Sequence, residues 1–456
     1  MNEDTIAAIA TTIGESAIGI VRLSGGDALR IVDMIFKARN GSKPSHFKTH
    51  TVHYGWIKEK SRVIDEVLLT VMRAPKTYTR EDIVEISCHG GVRSLQSILE
   101  CVMSCGARLA EPGEFTKRAF LNGRIDLSKA EAVLDIIRAK TDAALKLGVA
   151  QLSGRLSDTI KTMREELVEI LAHVEAEIDF SEEEIQTKKQ RILEQGIASL
   201  IRQCEFLIED SQKSNFFREG IKVTICGRPN VGKSSLLNAL LRKERAIVTP
   251  IAGTTRDVIE EFISLDGIGI RLVDTAGMIK PKNPIEHHAI RLAKNSIALS
   301  DIVLLVFDGS QPLTKKDREL IKELHAKDII AVINKIDLPQ RLSAKHLKPY
   351  FKHIVSISSK TPKNLDRLES AITRFVYKGK IISSEGLLTT NTRQINEIKK
   401  ARELLQSASH NLRHKASPEL IALDLKSTLD CLDRITGEKV DDAILDRIFG
   451  KFCIGK

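Results

Sequence analysis

The feature that most constrains this chain is a glycine-rich segment between a short apolar run and an amphipathic one. Residues 227–234 read GRPNVGKS, the form G-x-x-x-x-G-K-S. The strand-like residues 223–226 (VTIC) precede it, and Leu236, Leu237 and Leu240 follow at helical spacing. A strand, a loop of stacked N–H groups and a helix amino terminus together form a cradle for phosphate. The sequence therefore predicts a phosphate-binding loop, the P-loop, at a strand end.

Several side chains near this loop carry the oxygen and nitrogen atoms that a magnesium–nucleotide complex needs. We expect the Lys233 ammonium to bridge the β- and γ-phosphates and to act in catalysis, and the Ser234 hydroxyl to bind Mg²⁺. Asp274 ends a predicted strand and can hold the Mg²⁺ through a water, while the Gly277 N–H can reach the γ-phosphate. The threonines at 254–255 offer a second hydroxyl for the metal. The pattern predicts a nucleoside triphosphate as ligand.

Two further segments at strand ends restrict the base to guanine. The carboxylate of Asp337, in residues 334–337 (NKID), can accept hydrogen bonds from guanine N1–H and N2–H₂, and the Lys335 stem can cover the base. Adenine lacks both donors and would leave the carboxylate unpaired. The backbone N–H groups of residues 358–360 (SSK) can donate to guanine O6. The predicted nucleotide-binding residues are Asn230, Val231, Gly232, Lys233, Ser234, Ser235, Thr249, Pro250, Ile251, Ala252, Gly253, Thr254, Thr255, Asp274, Thr275, Ala276, Gly277, Asn334, Lys335, Ile336, Asp337, Ser358, Ser359 and Lys360.

Two groups common in guanine-nucleotide hydrolases have no obvious counterpart. Met278 stands where many of these enzymes place a water-orienting glutamine. Either an external activator or another side chain supplies this role; Glu286 is the best internal candidate, although its spacing also suits a solvated residue at a helix start. No arginine finger is evident. Asn230 and the carbonyls of residues 249–254 could instead hold a monovalent cation such as K⁺ beside the phosphates.

Composition limits the remaining possibilities. The 456 residues carry 70 Lys and Arg against 60 Asp and Glu, a formal charge of +10 that permits a polyanionic partner. The apolar run 302–307 is far shorter than the about 20 residues of a membrane helix, so we expect no membrane. The acidic amino terminus lacks a signal-peptide pattern, and seven scattered cysteines form no disulfide framework. These features predict a cytoplasmic protein.

The pattern of apolar residues and glycines changes three times along the chain. Residues 1–120 alternate strand runs with glycines and predict an α+β domain; residues 121–217 have helical spacing. Residues 218–378 alternate buried strands with helices, which predicts a doubly wound, mostly parallel sheet, and residues 379–456 return to helices. The fold class is therefore a multidomain combination of α/β and α, with an α/β domain inserted into a split helical domain.

Local signals place two of the helices. Residues 128–131 (SKAE) have the form of a capping box, so a helix should begin there. Ser417 and Pro418 suit the N-cap and first position of another helix, which should end before Gly437. The apolar stripe predicted for that helix comprises Leu420, Leu423, Leu429 and Leu432.

Over essentially its whole length, the chain resembles the MnmE (TrmE) family of tRNA modification GTPases. Residues 227–238, 246–249 and 253–257 carry the resemblance in the α/β part, which other bacterial GTPases share. Residues 111–122, which include EPGEFT, and residues 452–456 (FCIGK) are far more specific.

The resemblance implies a folate-binding and dimerising amino-terminal domain, a split helical domain and an inserted Ras-like G domain. It implies a homodimer whose G domains pair on GTP binding, with K⁺ stimulating hydrolysis. The K⁺ ligands would be Asn230, Thr249, Ile251 and Thr254. Mg²⁺ would use Ser234 and Thr255, and Glu286 falls at the position of the family's catalytic glutamate.

The resemblance also implies the biological reaction. The family acts with an FAD-dependent subunit of the MnmG/GidA type, in a heterotetramer, to add a carboxymethylaminomethyl or aminomethyl group to C5 of the wobble uridine (U34) of certain tRNAs. The one-carbon unit would come from 5-formyl-tetrahydrofolate or a related folate, with Arg22, Glu85, Arg124 and Lys456 at the folate-contacting positions. Residues 14–17 (GESA) depart from the family's more glycine-rich pattern. Cys453 has either a redox or covalent role or is a small buried apolar residue.

A different class of protein fits part of the same pattern. A ribosome-assembly GTPase would bind rRNA and use GTP hydrolysis as a timer, and the positive charge permits this alternative. Such a protein usually carries an RNA-reading module, for example a KH domain with its G-x-x-G loop. No such signal follows the predicted G domain.

Overall fold

A computed structural model of the chain describes residues 4–179, 187–218, 220–243, 260–265, 267–274, 300–324, 328–376, 388 and 390–456. The chain forms two compact units. The first comprises Met1–Leu134, Gln151–Gln203 and Asn396–Lys456, and the second Asp135–Ala150 and Cys204–Ile395. The domain limits expected from the sequence, at residues 120, 217 and 378, stay a prediction.

The strands, in chain order, are β1 Ile6–Ile9, β2 Ser16–Ser24, β3 Phe36–Ala38, β4 Thr51–Glu59, β5 Arg62–Met72, β6 Ile83–Gly90, β7 Arg108–Leu109, β8 Ile221–Cys226, β9 Glu260–Leu265, β10 Ile268–Asp274, β11 Ile302–Asp308, β12 Ile329–Asn334 and β13 His353–Ser356. The helices are α1 Ala28–Ile35, α2 Val92–Ser104, α3 Glu114–Leu121, α4 Leu127–Arg138, α5 Asp142–Leu152, α6 Arg155–Asp179, α7 Thr187–Arg218, α8 Lys233–Lys243, α9 Lys315–Glu323, α10 Ala344–Leu347, α11 Leu365–Val376, α12 Thr392–Arg413, α13 Pro418–Thr436 and α14 Asp442–Phe449. None of these described helices is both long and apolar enough to cross a bilayer.

The first unit contains a seven-stranded sheet in the order β3-β4-β5-β6-β2-β1-β7, antiparallel except where β1 pairs with β7. Alternate residues of β2 and β6, among them Val21 and Ile86, pack with Leu95 and Ile98 of α2 in one apolar core. The opposite residues of the same strands therefore point away from this core. Arg22 and Glu85 are such a pair, directly opposite in the β2–β6 register.

The starts of helices α4 and α13 test two predictions, of which one is wrong and one is confirmed. The Lys129 N–H donates to the Asp126 carboxylate at 2.9 Å, so Asp126 caps α4 and the predicted capping box at Ser128 is wrong. Helix α13 begins at Pro418 after Ser417 and ends before the left-handed Gly437, as predicted.

The apolar stripe predicted for α13 is wrong in part. Leu420 and Leu423 are 52% and 60% exposed, whereas Leu432 is buried. The buried face instead uses Ile421 and Leu425, because it is the face that packs with α6.

The second unit contains a six-stranded sheet in the order β13-β12-β11-β8-β10-β9. All neighbours are parallel except β9, which pairs antiparallel with β10 at the edge. Every residue of β11 is buried, because apolar side chains cover both faces. One core contains α8 and α11 and the other contains α9 and α10. The predicted doubly wound, mostly parallel sheet is confirmed.

Candidate nucleotide-binding site

The P-loop connects the carboxyl end of β8 to the start of α8. Its backbone needs glycine at two positions. Gly227 has φ 147° and a Cβ there would lie 2.4 Å from the Val306 carbonyl oxygen; Gly232 has φ 96° and a Cβ there would lie 2.3 Å from Asn334 Nδ2. The loop is therefore shaped by the close approach of β11 and of the residue that ends β12.

The P-loop lysine lies on the inner side of the loop. Lys233 Nζ donates to the Arg228 carbonyl oxygen at 2.8 Å, and the residue is only 7% exposed. The Arg228 side chain points the other way, and its Nε donates to Asp317 Oδ1 at 2.7 Å. Asp317 also caps α9 in a capping box with Thr314, so the outer wall of the loop is fixed to a helix.

The first two residues of the NKID segment hold the P-loop backbone. Asn334 is fully buried, and its Nδ2 donates to the Val231 carbonyl oxygen at 2.9 Å. Lys335 Nζ donates to the Asn230 carbonyl oxygen at 2.8 Å. Asn230 itself has a positive φ of 64°, a conformation that asparagine tolerates better than most residues. The last residue of β12 and the residue that follows it thus fix two adjacent carbonyls of the loop.

The Lys335 ammonium has a second partner that sequence reasoning missed. Asp308, the last residue of β11, accepts from Lys335 Nζ at 2.6 Å and from the Ser310 hydroxyl at 2.6 Å. Burial raises the pKa of Asp308, but these hydrogen bonds outweigh it and hold the pKa below its ordinary value. The available signal was its position at the end of the strand between β8 and β12, both of which carry motifs.

The fourth residue of NKID presents a fixed acceptor. Asp337 Oδ1 accepts from the Ser358 hydroxyl at 2.6 Å, and this hydrogen bond is the main cause that holds the pKa of the carboxyl below its usual value. The positive charges of Lys360 and Lys335 act in the same direction. Asp337 is therefore ionised at neutral pH and can accept from paired N–H donors.

The predicted backbone donors of residues 358–360 are not equivalent. The Ser358 N–H donates to the Lys363 carbonyl oxygen at 3.1 Å, and the Ser359 N–H to Asn334 Oδ1 at 3.0 Å. In the described part of the chain the Lys360 N–H has no acceptor. The contact of residues 358–360 with guanine O6 stays a prediction, for which the Lys360 N–H is the available donor.

A cleft of about 770 Å³ brings these groups together. Its lining includes Gly232, Ser235, Lys335, Asp337 and Lys360. Asp274 ends β10 beside Ile225 of β8, which places its backbone at the same sheet edge. Lying outside the described residues are Thr249, Pro250, Ile251, Ala252, Gly253, Thr254, Thr255, Thr275, Ala276, Gly277, Met278 and Glu286.

In the first unit, Arg22, one of the residues expected to contact folate, joins Glu85 to the carboxyl-terminal segment. Arg22 Nε donates to Glu85 Oε1 at 2.8 Å, and Arg22 Nη1 donates to the Gly455 carbonyl oxygen at 3.2 Å. The Phe115 N–H donates to the Lys456 carbonyl oxygen at 3.2 Å. Arg22, Glu85 and Lys456 are thereby gathered around the start of α3.

Two aromatic rings extend this cluster to the fourth residue. The Arg22 guanidinium lies 5.7 Å from the centroid of the Phe115 ring, and that of Arg124 lies 4.7 Å from the centroid of Tyr78. Phe115 and Tyr78 pack in one small apolar cluster.

Cys453 is exposed, so the expectation that it is a small buried apolar residue is wrong.

Family models match both units. The model described as MnmE helical domain matches residues 127–453, and the model described as GTP-binding protein TrmE N-terminus matches residues 5–124. The chain belongs to the MnmE family of tRNA modification GTPases. The resemblance drawn from the EPGEFT and FCIGK segments is thereby confirmed.

Full-length relatives support the same MnmE assignment. The tRNA modification GTPase MnmE of Bacillus cytotoxicus is 44% identical over 461 residues, covering 100% of both chains. That of Thermoanaerobacter pseudethanolicus is 46% identical and covers 99% of each chain. That of Lactococcus lactis subsp. cremoris is 45% identical, covering 99% of this chain and 98% of the relative. The likeness to MnmE proteins thus extends through every part of the chain.

Proposed function

We propose that this chain hydrolyses GTP as part of a reaction that modifies the wobble uridine of certain tRNAs. The observation that carries the proposal is the arrangement of the NKID segment. Asn334 and Lys335 hold the P-loop carbonyls, while Asp337 stands ionised three residues beyond Asn334. One segment thus couples a phosphate cradle to an acceptor suited to guanine.

In this proposal the phosphates lie on the P-loop N–H groups and beside the Lys233 ammonium. The cradle fits such a group because Gly232 permits the close turn and Lys233 lies on its inner side. Ser234 and Thr255 would hold Mg²⁺, with Asp274 acting through a water. Bound there, Mg²⁺ would neutralise charge on the phosphate oxygens. Glu286 would orient the attacking water.

Selection for guanine rests on the cost of an unpaired carboxylate. Guanine N1–H and N2–H₂ can both donate to Asp337, whereas adenine would leave the ionised carboxylate without these partners. A site built around hydrogen bonds to its ligand rejects analogues that lack them by large factors. The free Lys360 N–H is the donor best placed to reach guanine O6.

The Asp337→Asn variant should bind xanthine nucleotides in preference to guanine nucleotides, because an amide can donate to the xanthine O2 carbonyl. The affinity for GDP should fall about tenfold to a hundredfold, as expected when one partner of a charged hydrogen bond is lost. Titrations with fluorescent GDP and XDP measure both affinities. The matched control is Asp366→Asn at the start of α11, an exposed carboxylate of the same unit. An unchanged preference for GDP in Asp337→Asn would remove the base-reading role.

We propose that K⁺ supplies positive charge beside the phosphates, where the sequence has no evident arginine finger. Its ligands would be Asn230, Thr249, Ile251 and Thr254, of which Asn230 lies among the described residues. The Asn230 backbone is held in a left-handed conformation by the Lys335 hydrogen bond, which favours a fixed direction for its side chain. Bound there, K⁺ would stabilise negative charge on the phosphates.

Replacing K⁺ by Na⁺ at constant ionic strength should slow GTP hydrolysis roughly tenfold or more, since a fixed electrostatic contribution to the transition state is lost. Phosphate release at saturating GTP measures the rate. GDP affinity, measured in both salts, is the control and should change little. Equal turnover in the two salts would discard the cation assignment.

We propose that the cluster at the start of α3 binds a tetrahydrofolate derivative such as 5-formyl-tetrahydrofolate, the source of the one-carbon unit. The pterin ring offers N–H donors to the Glu85 carboxylate, and the glutamate tail of folate suits the cations Arg22, Arg124 and Lys456. Glu85 already accepts from Arg22, so its orientation is set before a ligand arrives. Exposed Cys453 stays a candidate for a redox or covalent role.

Glu85→Gln should weaken the binding of 5-formyl-tetrahydrofolate about tenfold to a hundredfold, because a neutral amide is a poorer acceptor than a carboxylate. Calorimetric titration of the full chain measures the affinity. Glu100→Gln, an exposed position on α2 of the same unit, is the matched control. Equal affinities for both variants would place the folate elsewhere.

We propose that the chain acts as a homodimer with an FAD-dependent partner subunit of the MnmG/GidA type, in a heterotetramer in the cytoplasm. The first sheet leaves apolar side chains uncovered on the face away from α1 and α2. Ile18, Val52 and Leu68 are 62%, 59% and 47% exposed. Apolar patches of this kind commonly mark interfaces between proteins.

The ribosome-assembly alternative has less support. A KH module contains strands as well as helices, whereas the described residues between 388 and 456 form only the helices α12, α13 and α14. The +10 charge suits either RNA partner.

Cells that lack the protein should lose the aminomethyl-type groups at C5 of wobble uridines. Mass analysis of nucleosides from purified tRNA measures them, and reintroduction of the gene should restore them. Unchanged wobble uridines together with defective ribosomal subunits would favour the alternative function.

A further inference from the structure

A second cavity, of about 300 Å³, lies in the same unit as the nucleotide cleft. Its charged lining comes from the carboxyl end of α4, the end of α7 and the middle of β10. These residues are Asp135, Arg138, Arg218 and Arg271, and the small or apolar residues Ala144, Leu147 and Gly148 of α5 complete the wall. None of them contributes to the nucleotide cleft.

The lining of this cavity is rich in positive charge, since it contains three guanidinium groups and one carboxylate. Arg218 Nε donates to Asp135 Oδ1 at 3.1 Å, and its Nη1 donates to the Thr390 carbonyl oxygen at 3.3 Å. The one carboxylate in the lining is therefore already engaged by one of the three arginines.

Arg271 is the unusual member. It is half-buried on β10, its Nε is fully buried, and this atom has no acceptor in the described part of the chain. The other half-buried arginines described above have acceptors: Arg22 has Glu85, and Arg228 has Asp317. Half-buried guanidinium groups are usually paired because an unsatisfied donor away from water is costly. Arg271 thus has the donors for a partner that the described residues do not supply.

We propose that this cavity binds a small oxyanion of the phosphate class, held by Arg271 with Arg218 and Arg138. The planar guanidinium fork matches the oxygens of phosphate, and Arg218 keeps one terminal nitrogen beyond its two recorded hydrogen bonds. A volume of about 300 Å³ equals roughly ten waters, which suits one phosphate group with a few waters rather than a nucleoside triphosphate. Orthophosphate and a small phosphate monoester share this chemistry.

Occupation of the cavity would join three segments of the unit. The ligand would connect the ends of α4 and α7 to β10, and Arg271 lies three residues before Asp274 on that strand. The cavity is distinct from the nucleotide cleft, because the two share no lining residue.

The test uses the full chain saturated with Mg²⁺ and GDP, so that the P-loop is filled. Orthophosphate and glycerol phosphate are titrated separately at constant ionic strength against chloride, with calorimetry as the readout. We expect one saturable site per chain for at least one of them. Tight binding of orthophosphate alone identifies free phosphate as the ligand, and comparable binding of glycerol phosphate identifies a monoester.

Arg271→Gln should lower this affinity at least tenfold, and Arg271→Lys, which keeps the charge but loses the fork, should lower it less. Arg374→Gln, an exposed arginine on α11 of the same unit, is the matched control and should leave the affinity unchanged. Because the Arg271 side chain has no partner in the described part of the chain, we expect Arg271→Gln to fold, and its thermal unfolding midpoint in chloride checks this. Added phosphate should raise that midpoint for the wild type and the control but not for Arg271→Gln.

Two results would overturn the proposal. One is the absence of saturable binding of either anion to the GDP-saturated wild type. The other is equal affinity in the Arg271 variants and in Arg374→Gln, which would place any bound anion elsewhere. Should Arg271→Gln fail to fold, the comparison of Arg271→Lys with the control decides the matter in the same way.

Discussion

The nucleotide cleft depends on hydrogen bonds from the end of β12 and the residue after it to the P-loop backbone. Asn334 and Lys335 donate to the carbonyl oxygens of Val231 and Asn230, two adjacent residues of the loop. Asp308 fixes the ammonium that makes one of these bonds. Because the same segment then carries Asp337, one stretch of backbone fixes both the phosphate end and the base end of the cleft. Such preorganisation spares a ligand the cost of ordering the site.

In the first unit, the candidate folate site is formed by residues that lie far apart in the sequence. Arg22 and Gly455 lie 433 positions apart in sequence, yet a hydrogen bond joins them. The Gly113 N–H donates to the Cys453 carbonyl oxygen at 3.4 Å, and a Cβ at Gly113 would lie 2.6 Å from the Phe449 carbonyl oxygen. The glycine of EPGEFT therefore admits the carboxyl-terminal segment. This explains why the two most specific segments of the sequence occur at such distant positions.

An element of the fold could be predicted from the sequence where its signal lies in its own residues, and not where it depends on neighbouring elements. The strand Ile302–Asp308 is buried on both faces, so its apolar run identifies it without knowledge of its neighbours. The exposed Leu420 and Leu423 could not be recognised, because a leucine suits either face of a helix and the position of α6 decides which face is buried. The Asp308–Lys335 pair was equally hidden, since it depends on the parallel register of β11 and β12.

One device recurs in both described sites: a basic side chain donates to a backbone carbonyl of a loop that would otherwise lack a partner. Lys233 bonds Arg228, Lys335 bonds Asn230 and Arg22 bonds Gly455. Each cation thereby fixes a backbone and is itself satisfied. Arg271 departs from this rule, since it holds no recorded carbonyl and no recorded carboxylate in the described part of the chain. A cation that neither shapes the backbone nor completes an ion pair is better explained by a ligand than by the stability of the fold.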